Sequence, residues 1–215
     1  YEILDFFGSF WRYWTFRLRK GGRLPHIRQR MATSDRGSER YYRDAVHNII
    51  RVDTRTAEGR LFADLIDTPE FQRLRRIRQL GLAYFAYQSA EHSRFTHSLG
   101  AFNLATRVIF KLSGEHKISD EERIAVRAAA LLHDIGHGAF SHVIESILGF
   151  HHENYSVAAI SEPQTNINRV LTAFSPNLAG DVAAIIKGTY SRRALAQLVS
   201  SQLDVDRMDY LLRDS

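Results

Sequence analysis

Apolar residues recur at helical spacing through the chain from about residue 61 onward. Phe71, Leu74 and Ile77 lie three positions apart, which places them on one face of a helix. Thr68, followed directly by a proline, supplies an N-cap and a first-turn signal. This pattern predicts a helix that starts at Thr68 and ends at Leu80-Gly81.

Two further segments combine an apolar face with clear boundary residues. Ser93–Gly114 carries apolar residues on one face and closes on a Ser-Gly stop. Ser119–Glu122 forms a capping box, which predicts that a helix over Arg123–His133 follows. More helix is expected at residues 139–148, 153–161, 176–188, 191–203 and 205–213.

Alternating apolar and polar residues, the mark of a half-buried strand, are absent over any convincing length. Arg43–Arg60 is mixed and polar, which is typical of a loop or a short hairpin. No internal repeat is present. The sequence therefore predicts an all-α fold, a helical bundle with its body beyond residue 40.

Residues 1–40 differ from this body. The first twenty are crowded with aromatic residues, and residues 1–30 hold seven basic and two acidic side chains. We interpret residues 1–40 as an appendage and linker outside the native fold, and 41–215 as the domain. The alternative is an amphipathic helix that lies on a membrane or a partner.

Composition narrows the function classes. The 215 residues include no cysteine, which excludes disulfides, thiolate metal sites and cysteine nucleophiles and fits a cytoplasmic location. No apolar run is long enough to predict a transmembrane helix. The net charge of +5 comes entirely from residues 1–30, so the neutral body gives little support for nucleic-acid binding.

The candidate chemistry centres on His133-Asp134, which closes an apolar helix and is followed by Gly136 and Gly138. Histidine and aspartate are common ligands of divalent metals. Helices of a bundle can aim inward side chains at one point, and His97 and Asp206 lie on two other predicted helices. Two imidazoles and two carboxylates suit Fe, Mn or Zn, while Mg would accompany substrate phosphates. A single histidine or aspartate on a helix is more often an ordinary core or surface residue than a metal ligand.

Other polar residues could complete a catalytic site. His137, His142, His151 and His152 surround the pair in sequence, and a histidine that binds no metal can donate a proton near neutral pH. Arg94 could hold a phosphate through two hydrogen bonds.

Motifs spread over about 150 residues carry a family resemblance. The segments are Asp67–Arg75, Gln79–Gly81, Ser93–Gly100, His133–His142, His152-Glu153 and Asp204–Asp214. With them the chain resembles the HD-domain phosphohydrolases, and within these the SAM-and-HD-domain branch that hydrolyses deoxynucleoside triphosphates to deoxynucleoside and inorganic triphosphate.

The resemblance implies roles residue by residue. The metal ligands would be His97, His133, Asp134 and Asp206. The catalytic group would be His152 as general acid, His142, Glu145 and Arg94. The substrate contacts would be Gln79, Leu80, Arg94, Arg207, Tyr210 and Asp214. A regulatory nucleotide site would include Asp67, Gln72 and Arg75.

The sequence departs from the family pattern in places. The segment Asp44–Asn48 replaces the family's Asp-Pro-Ile-His-Gly. Glu145 occupies a position where the family often has Asp, and Arg207 occupies one where a typical member has Lys. A nucleotide activator and a homo-oligomer are nevertheless expected partners, and the family's chain continues past the position of Ser215.

Three functions remain open from the sequence. The first is a metal-dependent dNTP triphosphohydrolase. The second is an HD enzyme acting on a nucleoside monophosphate, a guanosine alarmone or a cyclic dinucleotide. The third is a non-catalytic nucleotide-binding regulatory module.

Overall fold

A β-hairpin is the first element of the computed structural model, which describes residues 39–140, 142–149 and 151–214. Strand β1 (Arg40–Asp44) pairs antiparallel with β2 (Asn48–Val52), with Arg40 opposite Val52. Asn48 has φ +64°, a left-handed conformation that asparagine tolerates better than most residues. The short hairpin expected within residues 43–60 is present, but it begins at Arg40, and the first helix starts at Ala57 instead of near residue 61. The interpretation of residues 1–38 lies outside the described residues.

Helices make up most of the rest, so the all-α prediction is confirmed. They are α1 (Ala57–Asp67), α2 (Pro69–Gln72), α3 (Arg94–Ser113), α4 (Asp120–Leu132), α5 (His142–Leu148), α6 (His152–Ser161), α7 (Asn166–Phe174), α8 (Leu178–Ile186), α9 (Arg193–Ala196) and α10 (Val205–Asp214). Short 3-10 turns occupy Arg73–Arg76 and Ala83–Phe85. No helix among the described residues combines the length and apolar character that a membrane crossing needs.

Three of the predicted helix starts agree with the structure, because their capping hydrogen bonds form within one turn. The Thr68 hydroxyl accepts a hydrogen bond from the amide of Phe71. Ser93 caps α3, and its hydroxyl accepts from the amide of Thr96. Ser119 forms both hydrogen bonds of the predicted capping box at the start of α4.

The helix expected from Thr68 to Leu80 is wrong in its length. Regular helix stops at Gln72, and the carbonyl of Ile77 accepts from the amide of Arg94 instead of continuing a helix. The Arg73 guanidinium donates to the carbonyls of Ile135 and His137. Contacts with the loop after α4 and with the start of α3 thus override the local periodicity.

Two other helix predictions need correction. Asn166–Phe174 forms a helix with Thr165 as its N-cap, which the sequence did not lead us to expect. Of the helix expected over residues 191–203, only Arg193–Ala196 forms. Val205 donates its amide to the carbonyl of Leu198, so the chain between them folds back as a turn.

The core lies between α3, α4 and the helices packed on them. The alanines of α4 are fully buried, which lets neighbouring helices approach closely. α10 packs on α3 at Gly100, where an added Cβ would overlap the carboxylate of Asp209. This close contact brings α10 beside the first turns of α3 and the end of α4.

Candidate metal centre and active site

Two imidazoles meet where α3 and α4 approach each other. His97 lies in the first turns of α3 and is fully buried, and His133 caps the C-terminus of α4. Their Nε2 atoms are 3.3 Å apart. The two nitrogens therefore face a common point, although the residues are 36 positions apart in the chain.

Two carboxylates complete the group. Asp206 of α10 places Oδ1 3.0 Å from His97 Nε2 and 3.6 Å from His133 Nε2. Asp134 places Oδ1 3.5 Å from His133 Nε2 and Oδ2 3.7 Å from His97 Nε2. The structure thus brings together all four residues that the sequence singled out as candidate ligands.

The outward-facing ring nitrogens have fixed partners. His133 Nδ1 lies 2.9 Å from the carbonyl oxygen of Ala130, and His97 Nδ1 lies 2.8 Å from Oδ2 of Asp209. Both partners only accept hydrogen bonds, so each Nδ1 carries a proton, and Nε2 is the ring nitrogen that is available to bind a metal in exchange for a proton.

Asp209 is a contributor that the sequence reasoning missed. It is completely buried on α10, one turn from Asp206. The i, i+3 spacing of the two aspartates was the available signal, since residues three apart share a helix face.

The electrostatics of this group fit a cation. Burial lowers the pKa of His133, but Asp134 and Asp206 outweigh it and raise that pKa to about 10. The pKa of His97 is raised as well, because hydrogen bonds to Asp206 and Asp209 overcome burial. A site that binds protons this strongly favours positive charge, and two imidazoles with two carboxylates form a donor set that suits Fe, Mn or Zn. The residues therefore fit a divalent metal.

Arg94 was expected to bind a phosphate, but in the structure its side chain is buried against Asp134. Its guanidinium is only 2% exposed, and Nη1 donates to Oδ2 of Asp134 at 2.5 Å. Nη2 donates to the backbone carbonyl of Gln79. Burial raises the pKa of Asp134, but Arg94 and the nearby imidazoles hold that pKa well below its usual range.

A second group of side chains lies beside the first. Glu145 of α5 has one carboxylate oxygen 3.0 Å from Nδ1 of His152 and the other 3.0 Å from Nδ1 of His137. The largely exposed His142 is 3.5 Å from the same carboxylate. His137 is also 3.4 Å from Asp134, so it connects the two groups.

The rings of His137 and His152 stack, with centroids 3.7 Å apart and planes 16° apart. A metal lies near the plane of each imidazole that binds it, and parallel stacked planes have no such point in common. This group is therefore better suited to proton transfer than to a second ion. Burial lowers the pKa of His137 to about 4, so that ring is neutral at neutral pH.

Gly136 sets the spacing between the two groups. Its amide donates to the Ser156 hydroxyl, which donates in turn to the carbonyl of His133. An added Cβ would overlap the His152 carbonyl and the Ser156 amide nitrogen. A side chain at this position would push α6, and with it His152, away from the metal group.

Two of the residues that the resemblance suggests for substrate binding have buried polar atoms without a hydrogen bond in the described part of the chain. Gln79 and Asp214 each have a buried oxygen without a hydrogen-bond partner among the described residues. His92, which was not predicted, has two such ring nitrogens, and its Nδ1 is 3.8 Å from Asp214. Burial, with the charges of His97 and Arg213, lowers the pKa of His92 to about 4.

Three residues remain from the substrate set. Tyr210 lies one turn after Asp206 on α10 and is half-buried, while Arg207 is exposed. Leu80 is half-buried and starts the turn that leads to Ala83.

The residues of the suggested regulatory site contact their own chain. Asp67 forms a two-pronged ion pair with Arg40 at 2.8 Å. Gln72 donates to the carbonyl of Ile66 and accepts from Arg75. The Arg75 guanidinium also lies over the Phe95 ring, 3.6 Å from its centroid.

Comparison with known proteins decides the family. The HD-domain family model matches residues 94–214, more than half of the chain. The chain belongs to the HD-domain family. The matched HD segment contains all four candidate ligands together with His137, His142, Glu145 and His152.

Relatives of this HD domain include phosphohydrolases. The chain is 44% identical over 178 residues to the uncharacterized protein YwfO of Bacillus subtilis, covering 82% of this chain and 40% of that protein. It is 33% identical over 198 residues to the deoxynucleoside triphosphate triphosphohydrolase SAMHD1 homolog of Dictyostelium discoideum, covering 85% and 37%. It therefore spans about two-fifths of the length of these relatives.

A solved structure agrees with this family membership. A phosphohydrolase from Bacteroides thetaiotaomicron superposes with a TM-score of 0.70 at 40% identity, covering 82% of this chain and 41% of that one. The recognition of an HD-domain fold from the sequence motifs is confirmed.

Proposed function

We propose that the protein is a metal-dependent phosphohydrolase that cleaves deoxynucleoside triphosphates into deoxynucleoside and inorganic triphosphate. The observation that carries the proposal is the convergence of His97, His133, Asp134 and Asp206 beside the Glu145–His152 pair. The likeness to a dNTP triphosphohydrolase over 85% of the chain favours this substrate class.

The residues around Asp134 would hold the reacting phosphate. A divalent cation bound by the four ligands, Fe, Mn or Zn, supplies Lewis acidity and lowers the pKa of water. Arg94 keeps Asp134 ionised and adds positive charge beside the α-phosphate. Arg207 and Tyr210, on the same helix as Asp206, would contact the rest of the triphosphate, with Mg as a further counter-ion there.

His152 would act as the general acid. In the hydrolysis, water oxygen adds to the α-phosphorus and releases a proton to solvent, the bond from phosphorus to the 5′ oxygen breaks, and that oxygen takes a proton from His152. His152 Nδ1 is held by Glu145, which leaves Nε2 as the atom that donates the proton. His137 stacks on the ring and keeps it in place, and His142 borders the same carboxylate.

The sugar and base would lie near α3 and the Gln79–Leu80 segment. The unpartnered oxygens of Gln79 and Asp214 offer hydrogen bonds to the 3′ side of deoxyribose. Leu80 would pack near the base. A regulatory nucleotide at Asp67, Gln72 and Arg75 would displace Arg40 from Asp67, and homo-oligomer formation remains a further prediction.

The test is product identification. The metal-free protein is incubated with Mn or Fe and a panel of dNTPs, ribonucleotides, nucleoside monophosphates, guanosine alarmones and cyclic dinucleotides. Inorganic triphosphate from dNTPs, lost in His133→Ala and Asp134→Ala, supports the proposal. Release of monophosphate or pyrophosphate would assign the site to another nucleotide. Metal and nucleotide binding without turnover would favour a regulatory module.

A further inference from the structure

The hairpin turn before β2 contacts Asp209, the partner of His97, through a histidine whose side chain is buried. His47 places Nε2 2.6 Å from Oδ1 of Asp209, and the two side chains are 4% and 0% exposed. The contact joins residues that are 162 positions apart. Because an ionised carboxylate only accepts hydrogen bonds, His47 Nε2 is the donor.

Asp209 is held from several directions. Its Oδ2 accepts from His97 Nδ1 at 2.8 Å and from Arg213 Nε at 2.5 Å. Its Oδ1 accepts from His47 and from Arg213 Nη2 at 3.1 Å. Four N–H donors occupy the four lone-pair directions of one carboxylate, so removing one donor leaves one buried lone pair without a partner and lets the carboxylate turn.

The same network fixes the turn that carries His47. Arg213 Nη2 also donates to Oδ2 of Asp44, at 2.8 Å. Oδ1 of Asp44 accepts from the amides of Val46 and His47, at 2.9 and 2.8 Å. The conformation of the turn and the position of Asp209 are therefore coupled through buried charges.

We propose that His47 is a positioning residue of the metal centre, because its hydrogen bond holds Asp209 in the orientation that directs His97 Nε2 toward the ion. The inference rests on the proposed function in one respect, since it takes His97 to be a metal ligand. Partners that orient a ligating histidine typically contribute about 10- to 100-fold to metal affinity.

The experiment measures metal affinity, which is independent of turnover. Metal is removed from the protein, and the dissociation constant for Co²⁺ or Mn²⁺ is determined by equilibrium dialysis. We expect His47→Ala to bind about tenfold more weakly. His47→Gln should recover most of the affinity, because its amide nitrogen reaches about as far as Nε2 and can donate to Asp209.

Two control variants show whether a loss of metal affinity is specific to His47. Ile49→Ala changes an exposed residue of the same hairpin, and His116→Ala removes an exposed histidine from the loop after α3. Both should retain wild-type affinity. The visible spectrum of bound Co²⁺ should shift in His47→Ala and return in His47→Gln, a change that general loosening of the hairpin does not produce.

The outcomes separate the two hypotheses. Wild-type metal affinity in a folded His47→Ala, or equal weakening in Ile49→Ala, overturns the role of His47 and leaves the proposed function standing. A wild-type protein that binds no metal overturns both. Should His47→Ala fail to fold, His47→Asn, whose amide is too short to reach Asp209, takes its place with the same expectation of weaker binding.

Discussion

His97 Nε2 and Asp206 Oδ1 lie 3.0 Å apart, although the two residues are 109 positions apart in the chain. The contact exists because α10 packs directly on α3, at the glycine that leaves room for Asp209. It joins the two ends of the family-matched segment at one point, and the proposed chemistry depends on this packing.

Loss of the Asp206 carboxylate should weaken metal binding strongly. In Asp206→Asn we expect metal affinity to fall by about 100-fold or more, because an amide is a weaker ligand than a carboxylate. Metal content after dialysis measures this loss, with triphosphate release as the second readout. Asp120→Asn changes an exposed carboxylate at the start of α4 and serves as the matched control. Equal metal content in both variants would contradict the ligand assignment.

Loss of His152 should affect chemistry and leave metal binding intact. We expect His152→Ala to lower kcat by about 10²- to 10⁴-fold, the usual contribution of a general acid, with unchanged metal stoichiometry. A phosphoester with a nitrophenolate leaving group needs no protonation, so the defect should be much smaller with that substrate. A defect of the same size with both substrates would exclude the proton-donor role.

The Gln79 and Asp214 oxygens should determine sugar recognition. We expect Gln79→Ala and Asp214→Ala each to raise KM for a dNTP by about 10-fold, since a lost hydrogen bond costs about 1 kcal/mol or more. A 3′-deoxy analogue tests this assignment because it lacks the hydroxyl. Its affinity should therefore be nearly the same in the variants as in the wild-type protein. An equal loss of affinity for the dNTP and for the 3′-deoxy analogue would show that these residues do not contact the 3′ hydroxyl.

Two glycine substitutions should have opposite consequences for stability. Gly136→Ala inserts a methyl group against the His152 carbonyl and the Ser156 amide, which should lower the free energy of unfolding by about 1–3 kcal/mol. Gly180→Ala lies in α8 with open space around it, and should raise the free energy of unfolding by about 0.5–1 kcal/mol. Urea denaturation followed by circular dichroism measures both. A neutral Gly136→Ala would show that α6 can shift without cost.

Asn48 shows how a departure from the family pattern can preserve structure. The sequence comparison found asparagine where the resembling segment has glycine, and the structure gives this residue φ +64°. Asparagine tolerates that left-handed conformation, so the turn still forms. Asp44 at the end of β1 and His47 in the turn both match the pattern, and they contact Arg213 and Asp209 of α10.

The sequence by itself determined the helix starts at Thr68, Ser93 and Ser119, the mostly helical fold and the four residues that converge on one point. Capping at Thr68, Ser93 and Ser119 depends on groups within one turn, and the family motifs placed the distant residues together. Helix starts of this kind can be read from a short stretch of chain because their hydrogen bonds are local.

Only the tertiary structure decided where helices stop and which partners the site residues take. The segment after Gln72 leaves the helix because Arg73 and Ile77 bond to distant backbone groups. Arg94 turns inward to Asp134, and His47 reaches Asp209 across 162 residues. Such contacts depend on how whole helices pack, and packing is a property of the complete fold that no short window of sequence contains.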